Sequence, residues 1–449
     1  MDCRSGAGPF SAVHPPLERC SVSTNRLVPD MMESAAAEAL QSALERLYQC
    51  EHLLKQVWPS AFESPSAPCR IPLDEVEIVV LPLDRIGAPL GASGASVYVA
   101  YFAHKADEST RRTASQPLVV KIGARDKLRA EKDGAGNWPL LAGQARSKFA
   151  FPLQLDETNP ERAVLVSPFQ SMSEVQPDGS RNKVEVRDLW RLLENKDEPN
   201  PTHTTDWIKI GRLIAEALDS VAPSHRAGRA RPKAEAATYE EQYERYLRKT
   251  TSDKAEHLPQ LLFGKEARTH AFGREWPNPT EVVRRIIRHR MPFSGILGAV
   301  HGDLHPKNIV LTSYDGVQII DFGWATNSRH VVVDYVLLDL NLRGTTLPSQ
   351  IDEGAILSLA CFLEPHDDLA ALPQPVRARA EVIKNVIWEK AKERAIEKDW
   401  TAEYLIPLLL VGYGLLVHLD SARNQPALIA TVLQLSKLLE PTVLAATTV

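Results

Sequence analysis

One stretch restricts the fold more than any other. His301-Gly302-Asp303-Leu304-His305-Pro306-Lys307-Asn308 leads into the apolar run Ile309-Val310-Leu311, and a second run, Val317-Gln318-Ile319-Ile320, ends in Asp321-Phe322-Gly323. Apolar runs this short, separated by Ser313-Tyr314-Asp315-Gly316, read as two strands of a hairpin. Such a hairpin returns the chain to its starting end, so Asn308 and Asp321 lie side by side there.

These residue types fit phosphoryl transfer from a nucleotide. That reaction asks a protein for positioning: a carboxylate to orient an attacking hydroxyl, and hard oxygen donors to fix magnesium against the phosphates. Asp303 suits the first task, and Asn308 and Asp321 suit the second. Lys307, four residues after Asp303, either offsets charge on the transferring phosphate or is a solvated loop lysine.

At these positions the chain resembles the protein-kinase-like superfamily, and more closely its aminoglycoside phosphotransferase and choline kinase branch. The resemblance rests on His301-Gly302-Asp303-x-His305-x-x-Asn308 and Ile320-Asp321-Phe322-Gly323, with Gly302 and His305 marking the branch. It implies Asp303 as catalytic base, Asn308 and Asp321 as magnesium ligands, and ATP as phosphate donor. It also implies an α+β, bilobal protein-kinase-like fold: a small antiparallel sheet in the N-lobe and a larger, mainly helical C-lobe. A weaker resemblance, in Val120-Lys121-Ile122-Gly123 and His330 to Leu338, is to kinase-like domains of multi-gene bacterial defence or signalling systems.

Upstream, strand patterns at Glu77 to Leu83 and Val97 to Phe102 flank a loop of small residues. Gly91, Ser93, Gly94 and Ser96 there would let backbone amides approach phosphates closely. Lys121 alternates with branched apolar residues in Leu118-Val119-Val120-Lys121-Ile122-Gly123, and a strand lysine so placed needs a partner. The resemblance supplies two: the nucleotide phosphates, and a glutamate of the next helix, for which Glu131 is the candidate. Strands Phe149 to Leu155 and Ala163 to Ser167 complete the sheet, and the hinge that lines the adenine slot falls near Val166 to Gln170.

The division expected is a disordered leader over 1–30, a helix and linker over 31–72, a nucleotide-binding N-lobe over 73–168 and a catalytic, acceptor-binding C-lobe over 169–449. The leader lacks any apolar period. A helix starting near Ser34, with Leu40, Leu44 and Leu47 on one face, either packs on the catalytic domain or docks a protein partner; packing is the commoner fate. The charged insertion 223–259, with Arg226, Arg229, Arg231 and Lys233 followed by a helix from Tyr239 to Arg248, is either an acceptor-binding surface or a solvated loop. Helices Val376 to Lys398, Ala402 to Leu419 and Ala427 to Leu439 pack in the larger lobe.

Composition narrows the function classes. The formal net charge of -5 argues against general nucleic-acid binding, and the longest apolar run, Leu405 to Leu419, is interrupted by Pro407, Gly412 and Gly414 and too short to span a bilayer. Cys3, Cys20, Cys50, Cys69 and Cys361 have no metal-site spacing, and with no export signal they point to free thiols in a reducing cytoplasm.

After Asp321-Phe322-Gly323 the chain reaches the apolar run at Val331 quickly, and no Ala-Pro-Glu follows. That leaves little room for a peptide-docking segment, so a small-molecule hydroxyl is the expected acceptor. A nucleotide-binding signalling or scaffold module is the alternative, and an atypical protein kinase a third. Asp334 either braces the catalytic loop, as the resemblance implies, or caps a helix.

Overall fold

The computed structural model describes residues 34–62, 75–84, 95–104, 115–139, 146–169, 184–185, 187–194, 204–227, 237–251, 257–312 and 316–447. Gly91, Ser93 and Gly94, the hairpin turn 313–315, and Arg229, Arg231 and Lys233 of the insertion lie outside the described residues, as do the leader and Cys3, Cys20 and Cys69.

The chain enters through helices α1 (Ser34–Gln49) and α2 (Glu51–Val57), whose apolar stripe covers one face of a sheet. The sheet is built from β1 (Val76–Asp84), β2 (Ser96–His104) and β3 (Leu118–Gly123), then, beyond helix α3 (Arg125–Gly136), β4 (Gln154–Asp156), β5 (Ala163–Pro168) and β6 (Val184–Glu185). Spatial order is β4-β5-β3-β2-β1-β6; β1 to β5 are antiparallel to their neighbours, and the two-residue β6 runs parallel to β1.

Alternation along β3 assigns the two faces. Leu118, Val120 and Ile122 are buried in one apolar cluster with Leu40, Leu44 and Leu47, while Lys121, of opposite parity, turns to the other face. Each leucine fully buried there contributes on the order of 1.5–3 kcal/mol of burial energy. Trp58 stacks on Phe102 at 6.4 Å, Val57 O accepts from Gln116 N at 2.8 Å, and Arg46 meets Asp156 at 3.3 Å, so the N-terminal helices pack on the catalytic domain.

Residues 149–153 do not form the expected strand; β4 begins only at Gln154. Phe149 instead bridges Ile319 of the larger lobe, with Ala150 N donating to Ile319 O at 2.9 Å, and Phe149 and Phe151 stack at 5.3 Å. Aromatic burial under the other lobe outcompetes a longer ladder at the sheet edge.

The larger lobe carries α4 (Leu189–Glu194), α5 (Thr204–Ala227), α6 (Tyr239–Thr251), α7 (His257–Phe263), the hairpin β7 (Arg268–Ala271) and β8 (Arg274–Pro277), and α8 (Pro279–Arg288). Next come β9 (Leu297–Val300), the paired β10 (Ile309–Leu311) and β11 (Val317–Ile319), and β12 (Thr326–His330), which pairs with β9. It closes with α9 (Val333–Leu340), α10 (Glu353–Cys361), α11 (Gln374–Val382), α12 (Glu389–Arg394), α13 (Ile406–Leu415) and α14 (Gln425–Thr447). The apolar run at 405–419 is a buried part of this core, as Leu405, Leu408, Leu409 and Leu410 are fully enclosed.

Asp339 of α9 bonds Arg343 at 2.5 Å, Trp388 Nε1 at 2.7 Å and the Tyr404 hydroxyl at 2.8 Å. A buried carboxylate needs such partners, and these join α9 to the segments on either side of α12. The molecule is α+β and bilobal, with a small sheet-based lobe and a larger, mostly helical one.

Candidate active site

The loop after β9 is held by its backbone. Asp334, fully buried in the first turn of α9, accepts from His301 N at 3.0 Å and Gly302 N at 2.8 Å, and its Oδ2 lies 3.0 Å from His225 Nε2 on α5. Asp334 therefore braces the loop and does not cap its own helix. Gly302 sits at φ +75, and a Cβ there would come 2.7 Å from Trp324 O, so this position demands glycine on two counts. The Tyr246 hydroxyl donates to Gly302 O from α6.

His301 Nε2 donates to Ile320 O at 3.0 Å, which leaves Nδ1 to face Asp303 N at 3.4 Å. The ring thus ties the loop to the end of β11. His305 is fixed in a similar way: Nδ1 accepts from Lys307 N at 3.2 Å, and Nε2 lies 3.7 Å from Asp303 Oδ2. Burial lowers the His305 pKa against the opposing pull of Asp303, so the ring is neutral and presents an N–H to that carboxylate.

The hairpin does what its pattern foretold. Ile309 pairs with Ile319, Ile320 N donates to Asn308 O at 3.0 Å, and Asp321 follows directly, so Asn308 and Asp321 leave the same end. Asn308 Nδ2 donates to Asp303 O at 2.9 Å, which turns its amide oxygen away from that contact. Asp321 holds φ +66, a left-handed conformation that costs a non-glycine residue on the order of 1–3 kcal/mol and is found at constrained functional positions.

Lys121 joins the lobes. Its ammonium lies 2.7 Å and 2.8 Å from the two Glu131 oxygens and 3.5 Å from Asp321 Oδ2. Burial opposes ionisation of Asp321, but the Lys121 ammonium outweighs it and the carboxyl lies below its ordinary pKa. Glu131 reaches Lys121 because α3 lies close to the Asp-Phe-Gly turn: a Cβ on Gly134 would come 2.1 Å from Phe322 O. Phe322 itself is enclosed by Trp138 at 5.8 Å, Phe151 at 4.9 Å and His301 at 5.1 Å.

The structure thus gathers Lys121, Glu131 and Asp321 by direct contact, and Asp303 and Asn308 by the loop that carries both. Ser96 opens β2 opposite Ile122, one residue from Lys121. Lys307 rests over the Trp190 indole at 4.3 Å. His225, Tyr246 and Trp190 were not identified in sequence as site residues. For Tyr246 a signal existed: Tyr239, Tyr243 and Tyr246 recur at helical spacing within the charged insertion.

Oxygen donors from one amide and one carboxylate suit magnesium, which keeps waters and phosphate oxygens for its other positions. Among the described residues no cluster of three His, Cys, Asp or Glu side chains competes as a metal centre.

A lysine–glutamate pair beneath a small sheet, a braced Asp303 loop and a hairpin ending in Asp321-Phe322-Gly323 make this the protein-kinase-like fold. Among solved structures, the chain is similar to a thermostable mutant of aminoglycoside phosphotransferase APH(4)-Ia bound to ADP and hygromycin B, at 13% identity over 79% of this chain and 92% of that one, with a TM-score of 0.37. It is similar also to a fructosamine-3-kinase homologue from Haemophilus somnus 129PT, at 9% identity over 90% and 99% of the two chains and a TM-score of 0.37. A third is the choline kinase LicA from Streptococcus pneumoniae, at 12% identity over 77% and 94% and a TM-score of 0.32. No curated protein sequence matches the chain. The family described as ternary complex associated domain 9 matches residues 155–414, more than half of the 449 residues, and the chain belongs to that family.

Proposed function

We propose that the protein is an ATP- and magnesium-dependent phosphotransferase acting on a hydroxyl of a small molecule. The observation that carries this reading is Lys121 held between Glu131 and Asp321: a cation placed for nucleotide phosphates, beside a carboxylate placed for their metal. Magnesium held by Asn308 and Asp321 would neutralise charge between the phosphates.

Asp303 orients the acceptor hydroxyl and takes its proton as the new oxygen–phosphorus bond forms. The bond from the γ-phosphorus to the β–γ bridging oxygen breaks, and ADP leaves with that electron pair. His305, neutral and facing Asp303, steadies the carboxylate without competing as a base.

The short path from Asp321 through β12 to α9 supports a small acceptor: β12 pairs directly back onto β9, so a peptide-docking segment has no place between them. Free Cys50 and Cys361 accord with a reducing cytoplasm.

Calorimetric titration with ATP tests the nucleotide half of the proposal. Binding should need magnesium, and Lys121→Met should weaken it by about tenfold or more, the effect of losing charge-assisted contacts. Equal affinity in parent and variant would contradict it.

A second reading is favoured by the family's description as associated with a ternary complex: nucleotide occupancy would govern assembly with partner proteins. The readings part at Asp303, since assembly needs the nucleotide and its metal but no catalytic base.

A further inference from the structure

Glu131 and Gly134 stand three residues apart on α3, so they share one face of that helix. Glu131 meets Lys121, whereas Gly134 meets backbone: a Cβ built there would come 2.1 Å from Phe322 O, 3.3 Å from Phe322 C and 3.5 Å from Ala325 O. Glycine inside a helix is locally unfavourable beside alanine, yet position 134 is buried and has no room for a methyl group. Gly136, two residues on in the same helix, is exposed and has nothing within 4 Å of a Cβ.

Both sides of the Gly134 contact are anchored. On its far side α3 is tied to the carbonyls that flank β4: Arg125 Nη2 donates to Glu157 O at 3.0 Å and Asn159 O at 2.8 Å, and Lys132 Nζ to Pro152 O at 2.8 Å and Leu153 O at 3.3 Å. Across the contact, Phe322 O accepts from Ala325 N at 3.0 Å, and the Phe322 ring is enclosed by Trp138, Phe149 and Phe151. With the helix tied and the ring enclosed, room for a methyl has to come from the backbone of the turn. Asp321 stands next in that backbone, at φ +66 and with Oδ2 3.5 Å from Lys121.

We propose that Gly134 is a positioning residue for the metal ligand Asp321. By admitting the Phe322 carbonyl against α3, it keeps the Asp321 carboxylate beside Lys121, where magnesium and the nucleotide phosphates would meet. Its action is indirect, through the Phe322 backbone. The proposal rests on the nucleotide- and magnesium-binding half of the function proposed above.

The test titrates the full chain with ATP by calorimetry, with magnesium and in EDTA, comparing the parent with Gly134→Ala and Gly136→Ala, each first shown by urea unfolding to fold cooperatively. The deciding quantity is the gain in ATP affinity that magnesium confers, together with the magnesium concentration at half-saturation. Gly134→Ala should lose about tenfold or more in affinity with magnesium and much less in EDTA, and should need severalfold more magnesium; Gly136→Ala should match the parent. Identical behaviour of the two alanine variants overturns the proposal. So does an equal loss with and without magnesium, the mark of a general distortion. Should Gly134→Ala not fold, Lys132→Met decides: it releases α3 from Pro152 O and Leu153 O and should shrink the magnesium gain in the same sense, and an unchanged gain overturns the proposal. A parent that binds no magnesium–ATP strikes the underlying function instead.

Discussion

Single residues in this protein are constrained by what their backbones must do as much as by their side chains. Gly302 shows it best: at φ +75 and with Trp324 O in the place of a Cβ, alanine has neither the conformation nor the space. Gly302→Ala should destabilise the fold by about 1–3 kcal/mol, measured by urea unfolding, and should lower transfer even where the protein stays folded, because Asp303 follows directly. The Lys121–Glu131 pair was legible because a lysine among branched strand residues demands a partner, and the family resemblance pointed to a glutamate of the following helix. Asp303, Asn308 and Asp321 were legible because a hairpin fixes which ends meet. Trp190 beneath Lys307 was not, since nothing in the spacing of 190 and 307 says that an indole will stack under that ammonium.

Among elements, α6 and the N-terminal helices matter most. The insertion was read as either an acceptor surface or a solvated loop; α6 packs Tyr239 and Tyr243 into the core and touches the catalytic loop through Tyr246. Its second anchor is Tyr243 against His330 Nδ1 at 2.7 Å. Burial lowers the His330 pKa from 6.5 to about 3, so the unfolded chain binds a proton there at mild acid that the folded one refuses. Stability on this account falls as pH drops below the unfolded value, by about 2 kcal/mol between about pH 7 and about pH 5. Unfolding by urea at both pH values should show that extra loss in the parent and not in His330→Gln. The hairpin of β7 and β8 escaped sequence reading because its turn uses Phe272 at φ 52 with Gly273 at φ 67, and Phe-Gly is not a turn signature. The misplaced strand at 149–155 failed for a related reason: its aromatic alternation serves packing beneath Phe322, not a ladder. For α1, whose leucine stripe was plain, Leu44→Ala should cost about 2–5 kcal/mol in urea unfolding, as befits a side chain enclosed between helix and sheet.

At the scale of the whole molecule, the sheet lobe is enclosed between α1 and α2 on one face and α3 with the larger lobe on the other, and Lys121 to Asp321 is one of the polar links between lobes. The strands of a small antiparallel sheet and the helical ending followed from patterns of period two and period 3.6, whereas the bilobal form came from the resemblance carried by the catalytic motifs. The contact of α6 with β12 followed from neither, because it brings together residues far apart in the chain. The central claim is that this assembly transfers phosphate. The direct measurement is transfer of labelled γ-phosphate from ATP, with magnesium, to a pool of hydroxylated small molecules, comparing the parent with Asp303→Asn. The account predicts a labelled small-molecule product whose rate of formation falls by about 10²–10⁴ in Asp303→Asn, with ATP affinity unchanged. Tight ATP binding with no labelled product, and identical behaviour of the two proteins, would contradict it.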